Sequence, residues 1–204
     1  MIPPVRFAEL VARVRALPGR PLVGICGPPG AGKSTLADRL TAALGEAICV
    51  GMDGYHLAQA ELARLGRADR KGAPDTFDPD GYVDLLRRVR GQASGTVYAP
   101  RFHREIEEPV AGEVPVRRDH GYVVTEGNYL LMDGPWRPVR DLLDEVWFLQ
   151  PDESLRRDRL VARHREFGRS LDEARTRTLG SDEHNAVLIN ATASRADLVI
   201  SGVL

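Results

Sequence analysis

The stretch Gly27-Pro28-Pro29-Gly30-Ala31-Gly32-Lys33-Ser34 fits the spacing G-x-x-x-x-G-K-[ST]. Each position has a chemical reason. Glycines let the backbone curl until successive N–H groups converge on one phosphate, and a helix that starts there turns its positive end toward the same anion. Lys33 can reach the β- and γ-oxygens of a nucleotide, and the Ser34 hydroxyl can complete a Mg²⁺ shell. The expected ATP-binding residues are therefore Gly27, Gly30, Ala31, Gly32, Lys33, Ser34 and Thr35. Thr35 is placed either for an α-phosphate contact or only as a residue of the helix.

Two acids follow short apolar runs. Asp53 comes after residues 47–52, in Met52-Asp53-Gly54-Tyr55-His56, and Glu126 after residues 122–125, in Thr125-Glu126-Gly127-Asn128. In open α/β sheets ligands collect at the carboxyl ends of the strands. A phosphoryl transferase needs one carboxylate to orient or deprotonate the attacking hydroxyl, and a second to hold Mg²⁺ directly or through water. Asp53 suits the first role; Glu126, with Ser34, suits the second. An N-K-x-D base reader is absent and no D-x-x-G follows a strand, which disfavours guanine specificity.

A third group of candidates is basic. Residues 151–169 have helical spacing, so Arg156, Arg159 and Arg163 share one face. Arg159 or Arg163 could close over the phosphates, neutralise the transferring phosphoryl and exclude water; the rival reading is a solvated face of Glu/Arg pairs. Only two of the 28 basic side chains are lysines, Lys33 and Lys71. Lys71, in a Gly/Pro-rich segment, suits contact with an anionic part of a substrate. His103, placed on a loop after the apolar run 97–99, could meet a substrate hydroxyl or phosphate, and His56 stands beside Asp53.

These side chains need a scaffold. Residues 22–26, 47–52, 122–125, 146–149 and 198–200 read as buried strands, and 34–44, 57–65, 79–89, 152–167 and 182–193 as amphipathic helices between them. Strands separated by helices imply an α/β fold with a mainly parallel central sheet covered on both faces. Pro3-Pro4 opens a further helix that runs to Leu17. Residues 66–80 and 91–119, rich in Gly, Pro and charge, read as loops or small insertions. With 204 residues, 43% hydrophobic and 28% charged, the chain is one domain. A net charge of −1 argues against a broad nucleic-acid surface. The sequence shows no secretory signal and no apolar run of membrane-spanning length, so the expected home is the cytoplasm.

Five stretches occur together, in order: 27–35, 52–57 (MDGYHL), 70–78 (RKGAPDTFD), 100–104 (PRFHR) and 125–129 (TEGNY). In these the chain resembles the superfamily of uridine kinase, phosphoribulokinase and type I pantothenate kinase, with most likeness to its fructose-transport or nucleoside/nucleotide kinase-like branch. The resemblance covers nearly the whole chain. It implies a P-loop NTPase three-layer sandwich with a small helical lid at about 152–170 and acceptor-side insertions at about 54–80 and 91–119. It also implies that Asp53 activates the acceptor hydroxyl, that Glu126 serves near Mg²⁺, and that Arg159 and Arg163 belong to the lid. Tyr55, His56, Asp75, Phe77 and the Arg101–His103 strip would line the acceptor pocket. The expected activity is ATP- and Mg²⁺-dependent phosphorylation of a hydroxyl on a sugar, a nucleoside or a pantothenate-like alcohol. The alternative is a regulatory or chaperone-like P-loop ATPase without a small-molecule acceptor. A homodimer is a further expectation from the relatives.

Overall fold

The computed structural model describes residues 6–201; Pro3 and Pro4 lie outside the described residues. The chain runs α1 (Phe7–Arg15), β1 (Leu22–Cys26), α2 (Lys33–Leu44), β2 (Ala47–Gly51), α3 (Gln59–Arg64), α4 (Pro79–Arg90), β3 (Thr96–His103), β4 (Glu108–Arg117) and β5 (Tyr122–Gly127). It continues through α5 (Arg137–Asp141), β6 (Glu145–Gln150), α6 (Glu153–Glu166), α7 (Leu171–Arg177), α8 (Glu183–Asn190) and β7 (Leu198–Ser201). Five strands form one sheet in the order β2-β5-β1-β6-β7. Every pair in it is parallel.

Period-two alternation splits the core into two layers. Val23 and Ile25 of β1, with Trp147 and Leu149 of β6, face α1 and α2 and pack on Leu10, Val14, Leu36 and Leu40. Leu22 and Cys26, with Val146 and Phe148, face the other way onto Tyr82, Leu86 and Val139 of α4 and α5. Helix, sheet and helix make the three-layer sandwich. Among the described residues no helix is long and apolar enough to cross a membrane.

Helix starts follow local chemistry. Asp78 accepts the Gly81 N–H at the head of α4, whose first residue is Pro79. Asp152 accepts the N–H groups of Ser154 and Leu155 at the head of α6, and Ser170 and Glu173 form a reciprocal box at α7. Between α7 and α8 the helix widens into a π-turn over Thr178–Asp182.

One segment departs from the sequence-based expectation. Residues 91–119 are not irregular: β3 and β4 pair as an antiparallel hairpin outside the main sheet. Val97, Ala99, Val114 and Val116 are its buried face. Three prolines (100, 109 and 115) and dense charge conceal that alternation. Between Ala99 and Arg101 the register shifts: Pro100 alone stands opposite Ala111, Gly112 and Glu113, so β4 carries two extra residues there, with Gly112 at φ +75°. His103 consequently ends a strand rather than lying on a loop behind one.

A short relay joins α4 to the two strands that carry the acids. The Tyr82 hydroxyl donates to Thr125 Oγ1 at 2.6 Å, and Thr125 donates onward to the Val50 carbonyl at 2.5 Å. Both side chains are fully buried. Tyr82→Phe should lower unfolding stability by about 1 kcal/mol, read as a shifted urea midpoint at unchanged slope. An unmoved midpoint would show that the relay contributes nothing net.

Candidate active site

The phosphate loop follows directly from β1. Gly30 has φ +79°, and a Cβ there would sit 2.7 Å from the Arg156 carbonyl and 2.8 Å from Leu160 Cγ, so α6 packs where no side chain fits. Gly32, at φ +93°, turns the chain into α2. Lys33 is buried, and its ammonium donates to the Pro28 carbonyl at 3.1 Å. Burial holds that ammonium below its usual range, while Glu126 and Asp53 pull the other way.

Parallel register brings the two acids together. Gly51 of β2 pairs with Glu126 of β5, and Asp53 follows two residues later in a single 3-10 turn. Burial raises the Glu126 carboxyl, and the charge of Asp53 raises it further. For Asp53 burial also pushes upward, but His56, Arg104, Lys33 and Arg163 overcome it and hold the group below the usual carboxylate range. Arg104 donates to Asp53 Oδ2 at 3.1 Å. Ser34 Oγ donates to Glu126 Oε1 at 3.2 Å. A hydroxyl beside a buried carboxylate, with a second carboxylate adjacent, is a hard-oxygen donor set that fits Mg²⁺.

Three concavities meet at this point. A cleft of about 530 Å³ runs along Gly32, Lys33, Ser34 and Thr35, with Arg159 and Arg163 opposite. A cavity of about 270 Å³ opens from Asp53 toward His56, Lys71, Phe77 and Arg163. A recess of about 260 Å³ reaches Ser34, Asp53 and Glu126 from the hairpin side.

The arginines of α6 divide. Arg159 and Arg163 face the phosphate cleft, and burial, then Arg104, lowers the Arg163 guanidinium below its ordinary value. Arg156 is fully buried and turned elsewhere. It donates to Glu153 and to Glu183, each at 2.7 Å, and to the Pro29 carbonyl of the phosphate loop at 3.3 Å.

The seven residues expected to bind the acceptor also divide. His56, Lys71 and Phe77 line the 270 Å³ cavity, and Arg101 lines the neighbouring recess. Tyr55 packs on Tyr82 with ring centroids 5.4 Å apart. Asp75 turns to Arg70 at 2.8 Å, and His103 to Glu105 and Glu113 at 2.7 and 2.5 Å. Those three line neither space.

Their place in the cavity is taken by Phe102 and Arg104. The exchange coincides with the register irregularity between Ala99 and Arg101. Val97 and Ala99 point inward before it; Phe102 and Arg104 point inward after it, and Arg101 and His103 turn out to Glu113. Arg177 and Asn185, from α7 and α8, close the far wall. Plain alternation along residues 96–104 points to Arg101 and His103, so the reversal at Pro100 hid Arg104 and the inward face of Phe102; nothing in the sequence points to Arg177 or Asn185.

A model of the phosphoribulokinase / uridine kinase family matches residues 22–203. The chain belongs to this family. A pantothenate kinase of Lacticaseibacillus casei is 30% identical over 184 residues, 86% of this chain and 57% of that one. An ATP-dependent kinase-like protein of Aspergillus versicolor is 39% identical over 145 residues, 66% of this chain and 84% of that one. The crystal structure of a candidate fructose transport system kinase from Silicibacter sp. TM1040 aligns with a TM-score of 0.87 at 36% identity, over 96% of this chain and 98% of that one. Phosphoribulokinase from Rhodobacter spheroides, at 14% identity, shares the fold with a TM-score of 0.62, over 90% of this chain and 70% of that one. This member of the phosphoribulokinase / uridine kinase family is an ATP-dependent small-molecule kinase.

In this kinase the Arg156 side chain ties the phosphate loop to both α6 and α8. Arg156→Ala should cost about 3 kcal/mol of stability, because it leaves carboxylates short of a buried partner. It should also weaken ATP binding, as measured by calorimetry at a temperature where the variant is folded. Unchanged ATP affinity in the folded variant would mean that the loop holds its shape unaided.

Proposed function

We propose that this kinase transfers the γ-phosphoryl group of ATP to a hydroxyl of a small metabolite held in the 270 Å³ cavity, with Asp53 as the general base. The observation that carries the proposal is the position of Asp53. It lines both the cavity and the recess that holds Ser34 and Glu126, and four cations or potential cations keep it ionised. A carboxylate kept charged at the junction of two binding spaces can take a proton from a hydroxyl presented by one toward a phosphate presented by the other.

The step balances simply. Asp53 accepts the hydroxyl proton, the freed oxygen pair forms the new O–P bond, and the β–γ bridging oxygen leaves with the old bonding pair as ADP. Lys33 and the loop amides hold the β- and γ-phosphates, and Arg159 and Arg163 face them from α6. Ser34 and Glu126 are the residues that would hold Mg²⁺, which when bound neutralises phosphate charge. The acceptor is a sugar, a nucleoside or a pantothenate-like alcohol; the pantothenate kinase relative supports the last.

The regulatory ATPase reading has one observation in its favour, since Asp75 and His103 face outward where a partner could meet them. Both are already engaged by groups of their own chain, and Phe77 faces the cavity.

Asp53→Asn tests the assignment. Acceptor-stimulated ADP release should fall by about 10²- to 10⁴-fold, while calorimetric ATP affinity stays within about threefold. A matching collapse of ATP affinity would assign Asp53 to nucleotide or metal binding instead.

A further inference from the structure

The acids lining the 270 Å³ cavity are mostly spoken for. Arg104 takes Asp53, His103 takes Glu105, and His164 takes Asp182, the last two at 2.7 Å. Glu107 is the exception, at the hairpin turn. The cations are not matched in this way. Among the described residues, Lys71, Arg163, Arg169 and Arg177 line the cavity without an ion pair to any carboxylate.

The segments that carry two of these cations are fixed to each other by neutral groups. Arg177 donates to the carbonyl of Lys71 at 3.0 Å. The next carbonyl, of Gly72, accepts from Asn185 Nδ2 at 3.2 Å and from the Tyr129 hydroxyl, which fixes the segment from two more elements. The Lys71 ammonium itself donates to Gln59 Oε1 at 3.2 Å and to the backbone carbonyl of Glu107. Glu107 and Glu108 lend Lys71 some negative potential, while the nearby Arg177 opposes it. Half-buried cations without a paired carboxylate gain from an anion that enters the cavity.

The aromatic surface of the cavity is occupied. His56 is stacked between Phe77 and Phe102, with centroids 3.9 and 4.6 Å away. Lys71 and Arg104 lie over the Phe102 ring, 5.3 and 5.7 Å from its centroid. Phe167 sits at the border shared with the phosphate cleft. Among the described residues this stack leaves His56 no open face for a nucleobase.

We propose, resting on the kinase reading above, that the acceptor is a small aliphatic alcohol that also bears a carboxylate or a phosphate, and that Lys71, Arg169 and Arg177 form its anion subsite. Arg163 is left to the transferring phosphoryl group. Asn128 and Asn185, also in the lining, suit the remaining hydroxyls.

The test is ADP release by the full chain with Mg·ATP, using acceptors in matched pairs: gluconate against glucose, pantothenate against panthenol, fructose 1-phosphate against fructose, and uridine alone. The proposal expects at least one anion to exceed its neutral counterpart by about tenfold or more in kcat/KM, the contribution of one charged hydrogen bond. The carboxylate and phosphate arms tell which anion it is. A neutral member or uridine used equally well would overturn the anion subsite and leave the kinase standing. Steady ATP hydrolysis that no acceptor stimulates would overturn the kinase reading itself.

Binding decides the remaining case, in which nothing turns over. With the phosphate loop saturated by a non-hydrolysable ATP analogue and Mg²⁺, inorganic phosphate titrated by calorimetry should bind wild type. Arg177→Lys should retain that binding within about threefold and Arg177→Gln should lose about tenfold. No phosphate binding to wild type, or equal binding to the glutamine variant, would overturn the proposal.

Discussion

Parallel pairing of β2 with β5 places two carboxylates at neighbouring strand ends, and the rest of the site exists to make that tolerable. A strand register cannot be adjusted to separate them, because both strands are pinned in the core by the buried Tyr82–Thr125–Val50 relay. The repulsion must be answered from outside the sheet. Lys33 comes from the loop after β1, Arg104 from the hairpin turn and Arg163 from α6, three elements with no backbone pairing to β2 or β5. The outcome is asymmetric. Asp53 collects the cations and is held below the usual carboxylate range, whereas burial and Asp53 hold Glu126 above it against Lys33, Ser34 and Arg104. On the function proposed above, one unequal pair supplies both the proton acceptor and the metal ligand.

Helices α6 to α8 connect the two substrates. Arg156 joins them to the phosphate loop through Pro29, and Arg177 and Asn185 join them to the acceptor side through the carbonyls of Lys71 and Gly72. Whatever moves this segment moves groups that touch both binding spaces. The π-turn at Thr178–Asp182 lies between Arg177 and Asn185 and carries Asp182, which holds His164 of α6. Extra backbone width of this kind commonly marks a functional position in a helix.

The sheet and the phosphate loop were legible because their signals are local. A buried parallel strand is a continuous apolar run, and a phosphate loop is a fixed spacing of glycines before Lys-Ser. Asp53 and Glu126 could be placed because strand ends are readable in the same way. Side-chain direction in the hairpin was not legible. The alternation reverses across Pro100, so within the strip 100–104 Phe102 and Arg104 line the 270 Å³ cavity, Arg101 lines only the neighbouring recess and His103 faces outward. Asp75 shows a different failure, because its neighbours Arg67 and Arg70 are only close enough to capture it once the loop is folded. Arg177 carries no sequence signal at all, since its partner is a backbone carbonyl 106 residues away.

The hairpin shares no strand pairing with the central sheet. It is seated by four small apolar side chains and by the close approach of Pro100 to Gly54, where a Cβ would meet the proline carbonyl at 2.5 Å. Its tip nevertheless forms one wall of the acceptor cavity. A change in the length or composition of that tip therefore redraws the cavity while the strands under the phosphate loop keep every bond they have. Substrate choice and phosphoryl chemistry are separately heritable in such a design, joined on this side where Arg104 meets Asp53, Pro100 meets Gly54 and Phe102 stacks on His56.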